Sequence, residues 1–150
     1  MNRFRALLLA AVFGLPGCAS PPAPVDVVEL TIAELQEALL SGRTTCRAVV
    51  QAHLDRIGAY DDATVNAITV VNPAALDRAD EIDAAIGAGR ELGDLFCVPM
   101  LVKDNFDTHD MVTTGGSMAL AGNLPPDDAY MVRRIREEDA IVLAKTNMAE

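Results

Sequence analysis

The chain has 150 residues, about half of them apolar, with no Trp, four Phe and two Tyr. That length suits one modest α/β domain, with a core built from Ala, Leu, Val and Ile. A formal net charge of -10 argues against a nucleic-acid face or an anionic-membrane face, because neutralising phosphates takes clustered Lys and Arg. Arg133, Arg134 and Arg136 are followed at once by Glu137, Glu138 and Asp139, the pattern of a solvated helix surface.

The N-terminal segment reads as an address. Arg3 and Arg5 precede an apolar run from Ala6 to Leu15, too short to cross a bilayer as a helix and right for the core of a signal peptide. The run ends in Leu15-Pro16-Gly17-Cys18, which resembles the lipobox of bacterial lipoproteins, although Pro16 is a less usual residue at its place. The resemblance implies that residues 1–17 are a signal peptide and that Cys18 is lipidated as the mature N-terminus. The protein is then exported and membrane-anchored, on the periplasmic side or the cell surface. Residues 18–26 form a Pro-rich tether without periodicity, and residues 27–150 the folded body. With Cys18 acylated, Cys46 and Cys97 remain in a compartment where disulfides form. Their pairing is left open by the sequence, two buried thiols being the expected state.

Thr31 with Glu34 makes a capping box opening a helix that carries Ile32, Leu35 and Leu39 on one face and stops at Gly42. A second helix starts near Thr45, with Val50, Leu54 and Ile57 as its stripe, and runs into the polar turn at 59–62. The β-branched run "VNAITVV" reads as a strand. Asn72-Pro73 then supplies a capping residue and a first-turn proline for a third helix bearing Leu76, Ala79, Ile82 and Ile86, ended by Gly87 and Gly89.

Further on, "CVPMLV" and "AIVLA" are continuous apolar runs, separated by the loop-rich "TTGGSMALAGNLPPDD" and by "AYMVRRIREE", a helix capped by Asp127 or Asp128. Strand, loop, helix, strand is a crossover unit. Runs apolar at every position predict strands covered on both faces, hence a parallel or mixed sheet under helices.

Ligands of open α/β sheets bind outside the carboxyl ends of strands, and two lysines stand there: Lys103 after "CVPMLV" and Lys145 after "AIVLA". Desolvation disfavours an ammonium and frees a neutral amine to act as a base. The argument serves both lysines equally. His53 and His109 are the two histidines, and they read as packing or surface residues. No Cys/His or acidic spacing suggests a metal site, and no cofactor is expected.

The segments "GDLFCVPMLVKDNFDTHDMVTTGGSMALAG" and "DDAYMVRRIREEDAIVLAKTNMAE" resemble the N-terminal part of the amidase signature family. There a G-x-L-x-x-x-P-x-x-x-K-D-N segment, a T-T-x-G-S loop and a G-A-x-x-x-x-K-T-N-M-x-E strand recur in this order. Two departures stand out: Phe96-Cys97-Val98 replaces the commoner His-Gly-Ile, and Asp139 takes the place of a Gly. The resemblance implies an α/β fold, a mixed β-sheet covered by helices on both faces. It also implies an amidase acting on carbon–nitrogen bonds, with a small-molecule amide as substrate and no nucleic-acid partner. Lys103 would be the neutral base, acting through a relay serine held by a cis peptide on a nucleophilic serine, and an acyl-enzyme would form and be hydrolysed. Asp104, Asn105, Thr114, Gly115, Gly116 and Ser117 would be structural neighbours of the site, and Lys145 a structural strand residue.

Both family serines lie in a Gly/Ser-rich segment following the K-T-N-M-x-E strand, beyond Glu150. The 150-residue chain is therefore expected to be inactive by itself, as the leading third or so of an enzyme. The alternative is a non-catalytic exported lipoprotein that uses an amidase-like half domain as a binding module. An export signal speaks against amidotransfer in tRNA charging.

Replacement Cys18→Ser should abolish incorporation of a palmitate analogue when the chain is expressed in a bacterial host. Label retained on that variant would sink the lipoprotein reading.

Overall fold

The structure, a computed structural model, describes residues 25–148; the expected signal peptide, Cys18 and most of the expected tether lie outside them. The capping box forms as expected. Thr31 accepts the Glu34 amide at 3.3 Å while the Glu34 carboxylate accepts the Thr31 amide at 3.0 Å, opening α1 (Ile32–Leu40). Gly42, at φ 72, turns the chain into α2 (Cys46–Tyr60), whose N-cap is Thr45. The first amides of α2 receive a second acceptor from across the fold, because Asp83 takes the N–H groups of Cys46 at 2.6 Å and Arg47 at 3.0 Å. A carboxylate on these donors satisfies orphan groups and the positive end of the helix dipole together.

At the other end of α2 the polar residues do not simply turn. They continue as a π-helical stretch, Asp61–Val65, and the buried Asp61 carboxylate accepts the Ala67 amide at 2.7 Å and the Ile68 amide at 3.1 Å. That anchors the start of β1 (Ile68–Val71). The next helix, α3 (Ala75–Gly87), begins later than Asn72-Pro73 suggests, with Ala74 at its N-cap. The Asn72 amide group explains the delay: it donates to Val142 O at 2.8 Å and to Asp110 at 3.0 Å, so it fastens the turn to the sheet. Its Oδ1 still accepts from Ala74.

The strand β2 (Pro99–Lys103) and the strand β3 (Ile141–Thr146) are joined by a loop and by α4 (Tyr130–Glu137), and they pair in parallel, Pro99 with Ile141 and Lys103 with Thr146. β1 adds antiparallel to the other side of β3, giving the order β1-β3-β2. The α4 cap is not an aspartate: Ala129 holds the N-cap, because Asp128 is committed to His109 at 2.9 Å and to Arg136 at 3.2 Å.

Helices lie on both faces of the sheet. On one, Val49, Val50, Ala79 and Ile82 pack with Ile141 and Leu143; on the other, Val132 packs with Met111 and Val142. Full burial of one such aliphatic side chain contributes roughly 2 kcal/mol. β3 is buried along five residues in succession, as its apolar run predicts. β2 departs from that reading. Among the described residues it is an edge strand, Leu101 is 51% exposed, and an apolar groove beside it is lined by Met100, Val102, Phe106, Met131 and Ile135. Among the described residues no helix is long and apolar enough to cross a membrane.

Cys46 and Cys97 are not free thiols. They are joined as a disulfide, with Cα atoms 5.6 Å apart, linking the start of α2 to the turn before β2. That turn presses on the end of α4: a Cβ on Gly93 would collide with the backbone of Glu138. Replacement Gly93→Ala should therefore push backbone against backbone and cost about 1–3 kcal/mol, read as a lower urea midpoint. An unchanged midpoint would show that the turn has slack.

Candidate active site

The carboxyl ends of β2 and β3 and the start of β1 converge. Lys103 closes β2, is solvent-exposed, and donates from Nζ to Asn147 O at 3.1 Å. Asn147 is itself tied back to the entry of β1, donating from its amide to Ala67 O at 2.7 Å and from Nδ2 to Asn66 O at 2.6 Å. Parallel register thus brings a base candidate from one strand against the backbone leaving the other.

The next residue turns inward. Asp104 is buried, its N–H donates to Thr146 O at 2.9 Å, and its carbonyl accepts from Gly115 at 3.0 Å. Its carboxylate accepts both the amide and the hydroxyl of Thr114. Gly115 and Gly116 hold φ values of 56 and 75, the left-handed geometry that lets this loop fold back on Asp104. Asn105 is exposed. Ser117 caps locally: its hydroxyl accepts from Ala119 at 3.3 Å at the head of a short 3₁₀ turn, Met118–Leu120.

Lys145 is the buried lysine. It is 0% exposed, its Nζ lies 3.5 Å from Asp104 Oδ1, and it donates to Val112 O at 3.1 Å and to the Thr113 hydroxyl. Burial pushes its pKa below the usual lysine value, and the charge of Asp104 opposes the shift without cancelling it. Burial would raise the Asp104 carboxyl, but the Thr114 hydroxyl and amide, with Lys145, outweigh it and hold the group below the ordinary carboxylate value. Desolvation of a strand-end lysine, open to either candidate on sequence grounds, falls on Lys145 in this arrangement, while Lys103 faces solvent.

The structure therefore gathers Asp104, Thr114, Gly115 and Gly116 into one knot under the end of β2 and leaves Asn105 outside it. Sequence reasoning missed Val112, Thr113 and Asn147 as contributors. Thr113 and Asn147 stood inside the motifs "TTGGS" and "KTNM", whereas Val112 acts through its carbonyl, which no side-chain motif can signal.

A second cluster joins His109, Asp110 and Asp128, whose ligand atoms lie within 4.8 Å of one another. Arg136 already pairs with Asp110 at 2.8 Å and with Asp128 at 3.2 Å. A guanidinium in place satisfies the charges that a cation would otherwise neutralise.

Residues 48–150 match the family described as Amidase. The chain belongs to the amidase family. A glutamyl-tRNA(Gln) amidotransferase subunit of Salinispora arenicola is 44% identical over 125 residues, which are 83% of this chain and 26% of that protein. Among solved structures, the native peptide amidase from Stenotrophomonas maltophilia is 42% identical with a TM-score of 0.77, over 81% of this chain and 25% of that one. An amidase family protein from Bacillus anthracis is 32% identical with a TM-score of 0.76, over 83% and 25%. The fold is accordingly that of the amidase signature enzymes. The chain spans about a quarter of the length of these relatives, less than the third expected.

Replacement Asp104→Asn would leave the Lys145 ammonium buried without its counter-charge, at a cost of about 3–5 kcal/mol. Urea unfolding would measure it, and a loss under about 1 kcal/mol would show the pair to be dispensable. Asp104 binds its proton less tightly folded than unfolded, so its stabilisation is fully present above the unfolded pKa of 3.8 and is lost as pH falls through the lower folded value. Lys145 acts at the other end of the scale: the unfolded chain holds this proton more tightly, so its contribution rises as pH climbs toward 10.5. In Asp104→Asn the acid limb of a stability-versus-pH curve should be shallower than in the parent.

Proposed function

We propose that the protein is the N-terminal part of an exported, lipid-anchored amidase, which hydrolyses an amide carbon–nitrogen bond by acyl transfer with Lys103 as its base. The observation carrying this reading is the position of Lys103. It ends β2 at the carboxyl edge of a β-sheet, beside the Asp104–Gly116 knot, where open α/β sheets place their chemistry.

In the proposed reaction the Lys103 amine takes a proton, through a relay serine, from a nucleophilic serine. That serine attacks the amide carbonyl, the amine leaves with a proton, and water releases the acid. Both serines would come from sequence following Glu150. The described residues supply the base and its platform: Asp104 and Lys145 hold the loop 112–116 against the strands, and Asn147 O receives the Lys103 ammonium before it gives up its proton. The leader favours hydrolysis at a membrane surface over amidotransfer to an aminoacylated tRNA, and a small-molecule amide fits an exported enzyme.

Grafting residues 25–148 onto the remaining three quarters of the Stenotrophomonas maltophilia peptide amidase supplies the test. The hybrid should hydrolyse an amide substrate and label at a serine with a fluorophosphonate. Replacement Lys103→Ala in it should lower kcat by several orders of magnitude, as expected for loss of a base and its relay, while the 150-residue chain itself should neither turn over nor label. Equal activity of Lys103→Ala and the parent hybrid would reject the assignment; stoichiometric labelling of the short chain with turnover would place the nucleophile within it.

A further inference from the structure

Cys97 is the last residue of the turn 94–97 that leads into β2, and it stands at φ 62, where a Cβ is crowded and glycine is the usual occupant. Its amide donates to Asp139 O at 3.1 Å, so this backbone geometry cannot relax without releasing the turn from the end of α4. Its sulfur is bonded to Cys46, 51 residues away at the start of α2, and both cysteines are 0% exposed.

We propose that oxidation of Cys46 and Cys97 is an obligatory maturation step which holds the turn into β2 in its left-handed geometry, and thereby sets the strand that carries Lys103. Two observations combine here. A residue unsuited to its backbone angle is held by a bond to a distant helix, and that bond is wholly enclosed. Thiol–disulfide exchange needs an accessible sulfur for attack by a thiolate. Neither oxidant nor reductant can reach these sulfurs once the core has closed, so the bond forms while the chain is still folding. Each cysteine gives up one proton and one electron. The oxidant, a thiol–disulfide oxidoreductase in its disulfide form, takes both electrons and both protons and leaves as a dithiol. That oxidant is met only outside the reducing cytoplasm, so this clause of the inference rests on the export reading above.

The decisive experiment refolds the full chain from denaturant, once with oxidised and reduced glutathione and once with dithiothreitol. A protease-resistant core should return only under the oxidising condition; equal recovery in dithiothreitol would overturn the proposal. Three variants refine it. Cys46→Ala, which leaves Cys97 at its left-handed angle with nothing to hold it, should lose most of its recoverable protease-resistant core under either condition. Cys46→Ala combined with Cys97→Gly should regain part of that loss, whereas Cys46→Ala combined with Cys97→Ala should not. If the glycine variant is no better than the alanine one, the disulfide does not serve the turn. Trapping thiols in whole cells with a maleimide mass tag separates the export clause. A retained leader with Cys46 and Cys97 untagged in cells would refute export and leave the maturation step standing, whereas Cys46 and Cys97 tagged in the folded protein would overturn that step.

Discussion

A lysine with no solvent exposure constrains everything around the end of β2. Lys145 lies in the central strand, covered on both faces, so its ammonium must find its partners inside the protein, because an unpaired buried charge costs several kcal/mol. It finds Asp104 from the neighbouring strand and Val112 and Thr113 from the loop. Asp104 in turn takes Thr114. The charge pair thus joins two strands and a loop, and none of the three can shift without exposing a charge to an apolar interior. A pair so enclosed adds little net stability over an apolar replacement of the same volume. Its consequence is register: the glycine loop has one place to sit.

A second constraint operates at the opposite end of the same strands. Before β2 and before β3 the chain passes through a left-handed residue, Cys97 and Asp139 respectively, and neither is glycine. Each has a cross-link that accounts for it. Cys97 is bonded to Cys46. Asp139 pairs with Arg78 at 2.5 Å and accepts the Gly93 amide at 2.8 Å. The two turns also bind each other, through the Cys97 amide and the Asp139 carbonyl. These are the two places where the sequence departs from the amidase pattern, and the departures prove to be coupled in space: tethering side chains occupy turns where backbone freedom would otherwise serve.

Much of this was legible beforehand, and the reasons differ by element. The capping box at Thr31 and the Thr45 cap were readable because capping is local, a side chain reaching an amide three residues away. β3 was readable because Ala140 to Ala144 are apolar at every position and buried on both faces, with Lys145 following as the strand's one buried charge. The motifs placed Lys103, Asp104 and the loop at Gly115. What failed depended on distant partners. Asn72 keeps its Oδ1 on the Ala74 amide but turns its Nδ2 to Val142 and Asp110, 70 and 38 residues away, and the helix starts after it. Asp128 gives up the α4 cap for His109 and Arg136, and the pairing of Cys46 with Cys97 spans 51 residues. An apolar run records what a strand can bury and not what packs on it, and among the described residues the outer side of β2 is open.

That last difference bears on the chemistry. Desolvation turns an ammonium into a usable base, and of the two strand-end lysines the structure buries Lys145 and leaves Lys103 in water beside an open edge. Lys145 cannot take the role: its Nζ is enclosed by Val112, Thr113 and Asp104, with no side open to a substrate. Lys103 has the access and lacks the dry surroundings. A base at Lys103 therefore requires a further surface laid over the end of β2, where Leu101 and the groove between Met100 and Ile135 already present apolar area. The surface that dries the lysine would have to be the same one that brings the serine to it, so assembly of the site and activation of its base become a single event.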